Sequence, residues 1–351
     1  VEMQKMIVRG KHAFVETESH YVRLRYAYQV IRLAHYSKAY NEVLNLINEL
    51  MPKVHANPSL LDYWIMGHKA GALLRIGERV EAAYLYSLIF ANCLSKRQSA
   101  YQSFSIKSNE EWDQLVLKCK SDEERAMLYT IRANHDDSRV IFEMEKIYEY
   151  DPKNENLELL LVKEIVKLEK DFLGKDFNNN KKRNKRYFKI PRKKSEKYLK
   201  QTTEFVTKCV KEKKVINLDL WRIAEGYLTF LGGDYAGADQ IFTRLRNSMG
   251  SENEVMVNQL EVAQLALKIA QYNYPISTKD ENEIGNIIRN NSNYWNYKDF
   301  PNYINDKLVD LYIKSGEKGK AFRLHHTLDA LKMNPDMSMI EDLLRICEKE
   351  N

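Results

Sequence analysis

His12, Glu16 and His20 recur at intervals of four in "HAFVETESH". On one unbroken helix they would stack on a single face, as a metal ion requires of ligands one turn apart. No further ligand is evident nearby and HExxH is absent, so surface residues on a polar helix face are the plainer expectation. His325 and His326 are adjacent; on a helix they diverge by about 100° and cannot grip one ion. Cys93, Cys119, Cys209 and Cys347 form no CxxC pair and no zinc spacing, so reduced, mostly buried thiols are expected. There is no P-loop, GxGxxG, GxSxG elbow or kinase-like set. Glu110 and Glu111 follow Ser108, where carboxylates complement a helix N-terminus. No catalytic residue, cofactor or metal ligand is therefore assigned, and this segment is not expected to be an enzyme.

A second kind of chemistry is electrostatic. From Lys181 to Lys200 the chain carries eleven Lys or Arg against one acid, Glu196, for a net charge of +10. The whole chain is only +6, so the remainder is mildly acidic. Lys181, Lys182, Arg183, Lys185, Arg186, Arg192, Lys193 and Lys194, with Tyr187, Phe188 and Tyr198 interleaved, could hold phosphates and stack on bases, or lie on an anionic membrane surface. The blander reading is a solvated loop, since no recognised nucleic-acid fold accompanies the run. Gly174 and the triplet Asn178 to Asn180 precede it, and helix is expected to resume near Ser195.

These residues must be carried by helices. Only 13 Gly and 7 Pro occur in 351 residues, 44% of them hydrophobic, which favours an all-helical chain with a large buried core. The charge-free stretch from Ala82 to Ser95 is too short to span a bilayer, which takes about 20 residues, and reads as a buried helix. Residues 226 to 242, "GYLTFLGGDYAGADQIF", show how two helices meet. Leu218, Trp221, Ile223, Tyr227, Phe230 and Leu231 have helical spacing, Gly233 can close the helix and Asp234 can start the next. Small residues at Gly226 and Ala238 permit close approach, and Phe242 fills the space beyond.

Gly226, Gly233, Tyr235, Ala238 and Phe242 resemble the tetratricopeptide-repeat pattern. Similar sets are Ala27, Ala34, Tyr36, Ala39 and Val43; Ala70, Gly77, Arg79, Ala82 and Tyr86; and Val309, Gly316, Lys318, Ala321 and His325. A poorer copy has Leu128, His135, Asp137, Val140 and Met144. The spacing between copies departs from a steady period of about 34 residues, so extra helices must lie between them, for example after "SNEEW" at 108 and "SDEER" at 121.

The resemblance implies an all-α fold: an irregular solenoid of antiparallel helix pairs wound into a right-handed superhelix. The expected division is an array over 1–170, a basic linker over 171–195 and a second array over 196–351. It further implies a non-enzymatic scaffold that binds a peptide or protein partner on the concave row of first helices. Arg23, Arg32, Arg222, Glu225 and Trp295 are the candidate contacts. A polyanion-binding adaptor using 181–200 is the alternative, and a metal-dependent helical protein the third reading. No signal-like apolar core opens the chain, which suits a cytoplasmic protein or, after signal removal, one of the periplasm or cell envelope.

Overall fold

The computed structural model describes residues 2–54, 59–134, 140–173, 192–250, 253–290, 300–332 and 336–350. Among these residues the secondary structure is helical throughout, without a strand. Contacts group the chain into two compact units, Val1–Ser138 with Phe142–Asn154, and Arg139–Ile141 with Glu155–Asn351. The expected linker, 171–195, lies within the second of these stretches, and its residues 174–191 are outside those described.

The first unit contains α1 (Glu2–Glu16), α2 (His20–Tyr36), α3 (Tyr40–Leu50), α4 (Leu60–Ile76), α5 (Arg79–Asn92), α6 (Arg97–Ser103), α7 (Asn109–Lys118), α8 (Asp122–Ala133) and α9 (Ile141–Tyr150). Its first core joins Ile7 and Phe14 of α1 to Leu24, Ala27, Val30, Ile31 and Ala34 of α2. Val43, Leu46, Ile47 and Leu50 of α3 close over them, with Ile65 and Ala72 from α4. Each fully buried large aliphatic side chain contributes about 1.5–3 kcal/mol, an upper figure because the unfolded chain already hides some surface. The uncharged stretch after Ala82 forms most of α5, whose Ala82, Ala83, Tyr84, Leu85, Tyr86 and Ile89 are buried. No described helix is long and apolar enough to cross a membrane. The serines of "SNEEW" and "SDEER" cap α7 and α8: Ser108 accepts from the Glu111 N–H at 3.2 Å and Ser121 from the Glu124 N–H at 3.3 Å.

The second unit contains α10 (Glu155–Phe172), α11 (Arg192–Glu212), α12 (Leu218–Leu231), α13 (Tyr235–Ser248), α14 (Glu254–Gln271), α15 (Thr278–Asn290), α16 (Phe300–Lys314), α17 (Lys318–His325) and α18 (Met337–Glu350). Chain neighbours pack as pairs, and alternate helices also touch: α10 with α12, α12 with α14, and α14 with α16. A buried polar group stands in this unit. Glu164, fully buried, accepts from Tyr198 Oη at 2.8 Å and from Lys167 Nζ at 2.7 Å, while Tyr198 Oη accepts from the Val140 N–H at 3.1 Å.

Four hairpins share one turn. Gly77, Gly233 and Gly316 have φ of 101°, 88° and 76°, and Lys38 has φ of 62°. In each, the following N–H reaches back to a carbonyl five residues earlier: Ala39 to Ala34, Glu78 to Leu73, Asp234 to Thr229 and Glu317 to Tyr312, at 2.9–3.3 Å. That bond satisfies a carbonyl left open at a helix end and requires a left-handed residue before it. Five residues past each left-handed position stand Val43, Ala82, Ala238 and Ala321, all buried. The first hairpin is therefore registered four residues later than its sequence match. Ala34, matched to the turn, is a fully buried residue inside α2, and Lys38 makes the turn. Ala27 is likewise buried in α2, and Ala39 precedes α3 as its N-cap. In the poorer copy, Leu128, Val140 and Met144 are buried, and its turn at 135–139 lies outside the described residues.

Between α12 and α13 the approach is close. A Cβ on Gly226 would lie 2.8 Å from Cδ1 and 3.1 Å from Cζ of Phe242, a fully buried ring. Asp234 caps α13 by accepting from the Gly237 N–H at 2.9 Å, and the Tyr235 ring folds back to 5.9 Å from Phe230. Ala70 and Ala82 are fully buried on the facing helices α4 and α5.

Candidate functional site

Alternate helices of the second unit line an open groove of about 430 Å³. Leu161, Val162, Ile165, Val166 and Glu169 come from α10, and Leu220, Ile223, Ala224 and Tyr227 from α12. Gln259, Val262, Ala263 and Ala266 follow from α14, and Phe300 from the start of α16. Glu169 is the one charged residue in that lining, and no cation is among it.

The groove exists because α10 has more apolar surface than its neighbours cover. Its Leu157, Leu160, Leu161 and Leu168 are buried, whereas Leu159, Val162 and Val166 are 70%, 47% and 39% exposed. A helix that packs on one side needs a narrower apolar stripe. Tyr303 Oη of α16 donates to the Ala266 carbonyl of α14 at 3.2 Å, which fixes these two helices together.

Burial, and then the Glu169 carboxylate, raise the Tyr227 hydroxyl well above the ordinary tyrosine range. Tyr227 thus remains a neutral donor and Glu169 an acceptor. The arrangement offers an apolar bed with a carboxylate at one place.

The sequence-derived contact candidates lie elsewhere. Arg222 pairs with Asp219 of its own helix at 3.2 Å, and Glu225 accepts from Thr207 Oγ1 of α11 at 2.8 Å. The first pair lies within α12 and the second joins α12 to α11, and neither Arg222 nor Glu225 lines the groove. Arg23 donates to the Thr17 carbonyl at 2.7 Å and ties the α1–α2 connection, while the Arg32 guanidinium sits 5.3 Å from the Tyr36 ring centre. Trp295 lies outside the described residues. Of the basic run, Lys181, Lys182, Arg183, Lys185 and Arg186 also lie outside them, and Arg192 opens α11. Lys193 and Lys194 are exposed in its first turn. Sequence reasoning missed the α10 wall, although "LELLLVKEIV" signals it: the apolar residues there occupy more than one helix face.

The histidine-glutamate set does not share a helix. α1 ends at Glu16 and α2 begins at His20, so the third group leaves the face on which the first two stand. His12 Nδ1 and Glu16 Oε2 are 3.1 Å apart, with both side chains well exposed. No cluster of three or more potential metal ligands occurs among the described residues. Cys93, Cys119 and Cys209 are buried and Cys347 is exposed; burial pushes the Cys119 and Cys209 thiols up to about 11 and about 12, where they are poor nucleophiles. No protein-family model, curated protein or solved structure matches this chain.

Proposed function

We propose that the chain is a non-catalytic binding scaffold of tetratricopeptide-like construction. Its groove over α10, α12, α14 and α16 holds an apolar segment of a protein partner. The observation that carries this reading is the groove itself: four alternate helices supply an apolar lining with a single charge. Repeated pairs with alternate-helix contacts are what a solenoid uses to propagate a core and expose one row of helices. A segment presenting apolar side chains on one face would bury them against this lining.

The test is comparative capture from native cells with the wild-type chain and Val166→Glu. Val166 is 39% exposed, so the new carboxylate disturbs the groove with little cost to folding. A partner retained by the wild type and lost from Val166→Glu is expected. Equal retention by the two proteins would refute the groove assignment.

A second reading rests on α11. Arg192, Lys193 and Lys194 occupy its first turn without an acid, where the helix dipole disfavours cations. A bound polyanion would offset that repulsion. Binding to RNA, DNA or anionic vesicles that weakens steeply with added salt, and is lost on Lys193→Glu with Lys194→Glu, would support it. Salt-independent binding would exclude it.

A further inference from the structure

The first unit contains a separate recess of about 160 Å³ between α2, α4, α5 and α6. Aromatic rings form much of its wall. Tyr28 lies 5.6 Å from Trp64 and 5.8 Å from His68, centre to centre. Lys96 Nζ stands 5.0 Å from the centre of the Trp64 ring; Ser99 and Ser103 also belong to the lining, the Ser99 hydroxyl donating to the Lys96 carbonyl at 3.0 Å. No carboxylate belongs to the lining. The fixed charges that act on His68, those of Arg32 and Lys96, are both positive.

Three physical features choose a ligand. A cavity of about 150 Å³ is enough for one benzene ring, so the recess suits a single ring and not a large fused system. Offset and edge-to-face contacts with Trp64 and Tyr28 favour an aromatic ring over an aliphatic one of equal size. An ammonium group at the same place, without a neighbouring acid, then favours an anionic substituent. We propose that this recess is a binding site for a small aromatic carboxylate, with its ring against Trp64 and Tyr28 and its anionic group at Lys96. The site is independent of the groove in the second unit, and neither reading needs the other.

Isothermal titration of the full chain with benzoate, benzyl alcohol and inorganic phosphate tests the assignment. Benzoate should bind saturably with a dissociation constant below about 1 mM, as a small, efficient ligand can. Benzyl alcohol keeps the ring without the charge, and phosphate keeps the charge without the ring; both should bind about tenfold or more weakly. Lys96→Met should weaken benzoate by about tenfold while leaving benzyl alcohol unchanged, because only the charged contact is removed. A second variant, Ser99→Phe, places a ring over the exposed mouth and should abolish benzoate binding with the melting temperature preserved. Absence of saturable benzoate binding, equal binding of either control ligand, or full affinity in Lys96→Met would each overturn the proposal.

Discussion

Replacing Gly226 with alanine should destabilise the second unit, against the usual rule for helices. In an unconstrained helix interior the change stabilises by about 1 kcal/mol, because alanine restricts the unfolded chain and glycine does not. Here the added Cβ would lie 2.8 Å from Phe242 Cδ1 and 3.1 Å from Cζ. Carbon atoms in good contact sit about 3.5–4.0 Å apart, so the ring or a whole helix must shift. Overpacking of this kind costs about 1–3 kcal/mol. Subtracting the propensity gain leaves a net loss of about 1 kcal/mol, or about 2–4 °C in melting temperature for a unit of this size. Gly67 is the control. Its added Cβ would meet Ile89 Cδ1 at 3.9 Å, an ordinary contact, so Gly67→Ala should stabilise the first unit by about 1 kcal/mol. Urea unfolding followed by circular dichroism reads both, and Gly226→Ala in a Phe242→Leu background should regain the lost stability. If Gly226→Ala stabilises as much as Gly67→Ala, the close approach of α12 and α13 is not what requires the glycine.

Tyr198→Phe should cost about 1–3 kcal/mol in urea unfolding, because it leaves the buried Glu164 carboxylate and the Val140 N–H without that hydroxyl; an unchanged midpoint would contradict this. Lys38→Gly should stabilise the first unit by about 0.5–1 kcal/mol, the left-handed strain less the entropy of glycine, whereas Gly233→Ala should destabilise the second by about 1 kcal/mol; thermal melts of the two variants check the opposite signs. His68 is held down to about 4, first by burial and then by His35, Arg32 and Lys96, against about 6.5 in an unfolded chain. Between those values the unfolded chain binds more protons, so this contribution is complete above about pH 6.5 and is lost as pH falls toward 4. Urea midpoints of wild type and His68→Gln at neutral and acid pH should show the smaller pH dependence in the variant.

What could be read in advance follows from chemical type. Gly77, Gly233 and Gly316 announce left-handed turns because glycine has no Cβ to clash there, and the three hairpins around them are legible. Lys38 adopts the same conformation without any such mark. The sequence match consequently settled on Ala34, whose small side chain serves a buried contact one turn earlier. The groove was hidden for a different reason. Apolar residues at helical spacing look alike whether a neighbour covers them or not, so Val162 and Val166 could not be told from Leu161 and Leu168. Arg222 and Glu225 suggest an exposed face; of their partners, Asp219 follows from local turn spacing, whereas Thr207 comes from α11 and is a tertiary fact. His20 was separated from His12 and Glu16 by a helix break that no Gly or Pro announces.

The central claim is that the row formed by α10, α12, α14 and α16 is where a partner docks. Hydrogen exchange measured on the chain alone and in complex with its captured partner addresses it directly. The account predicts added protection in 159–169, 220–227 and 259–266, absent when Val166→Glu is mixed with the same partner. Protection confined to other helices, with the partner still bound by the variant, would contradict it.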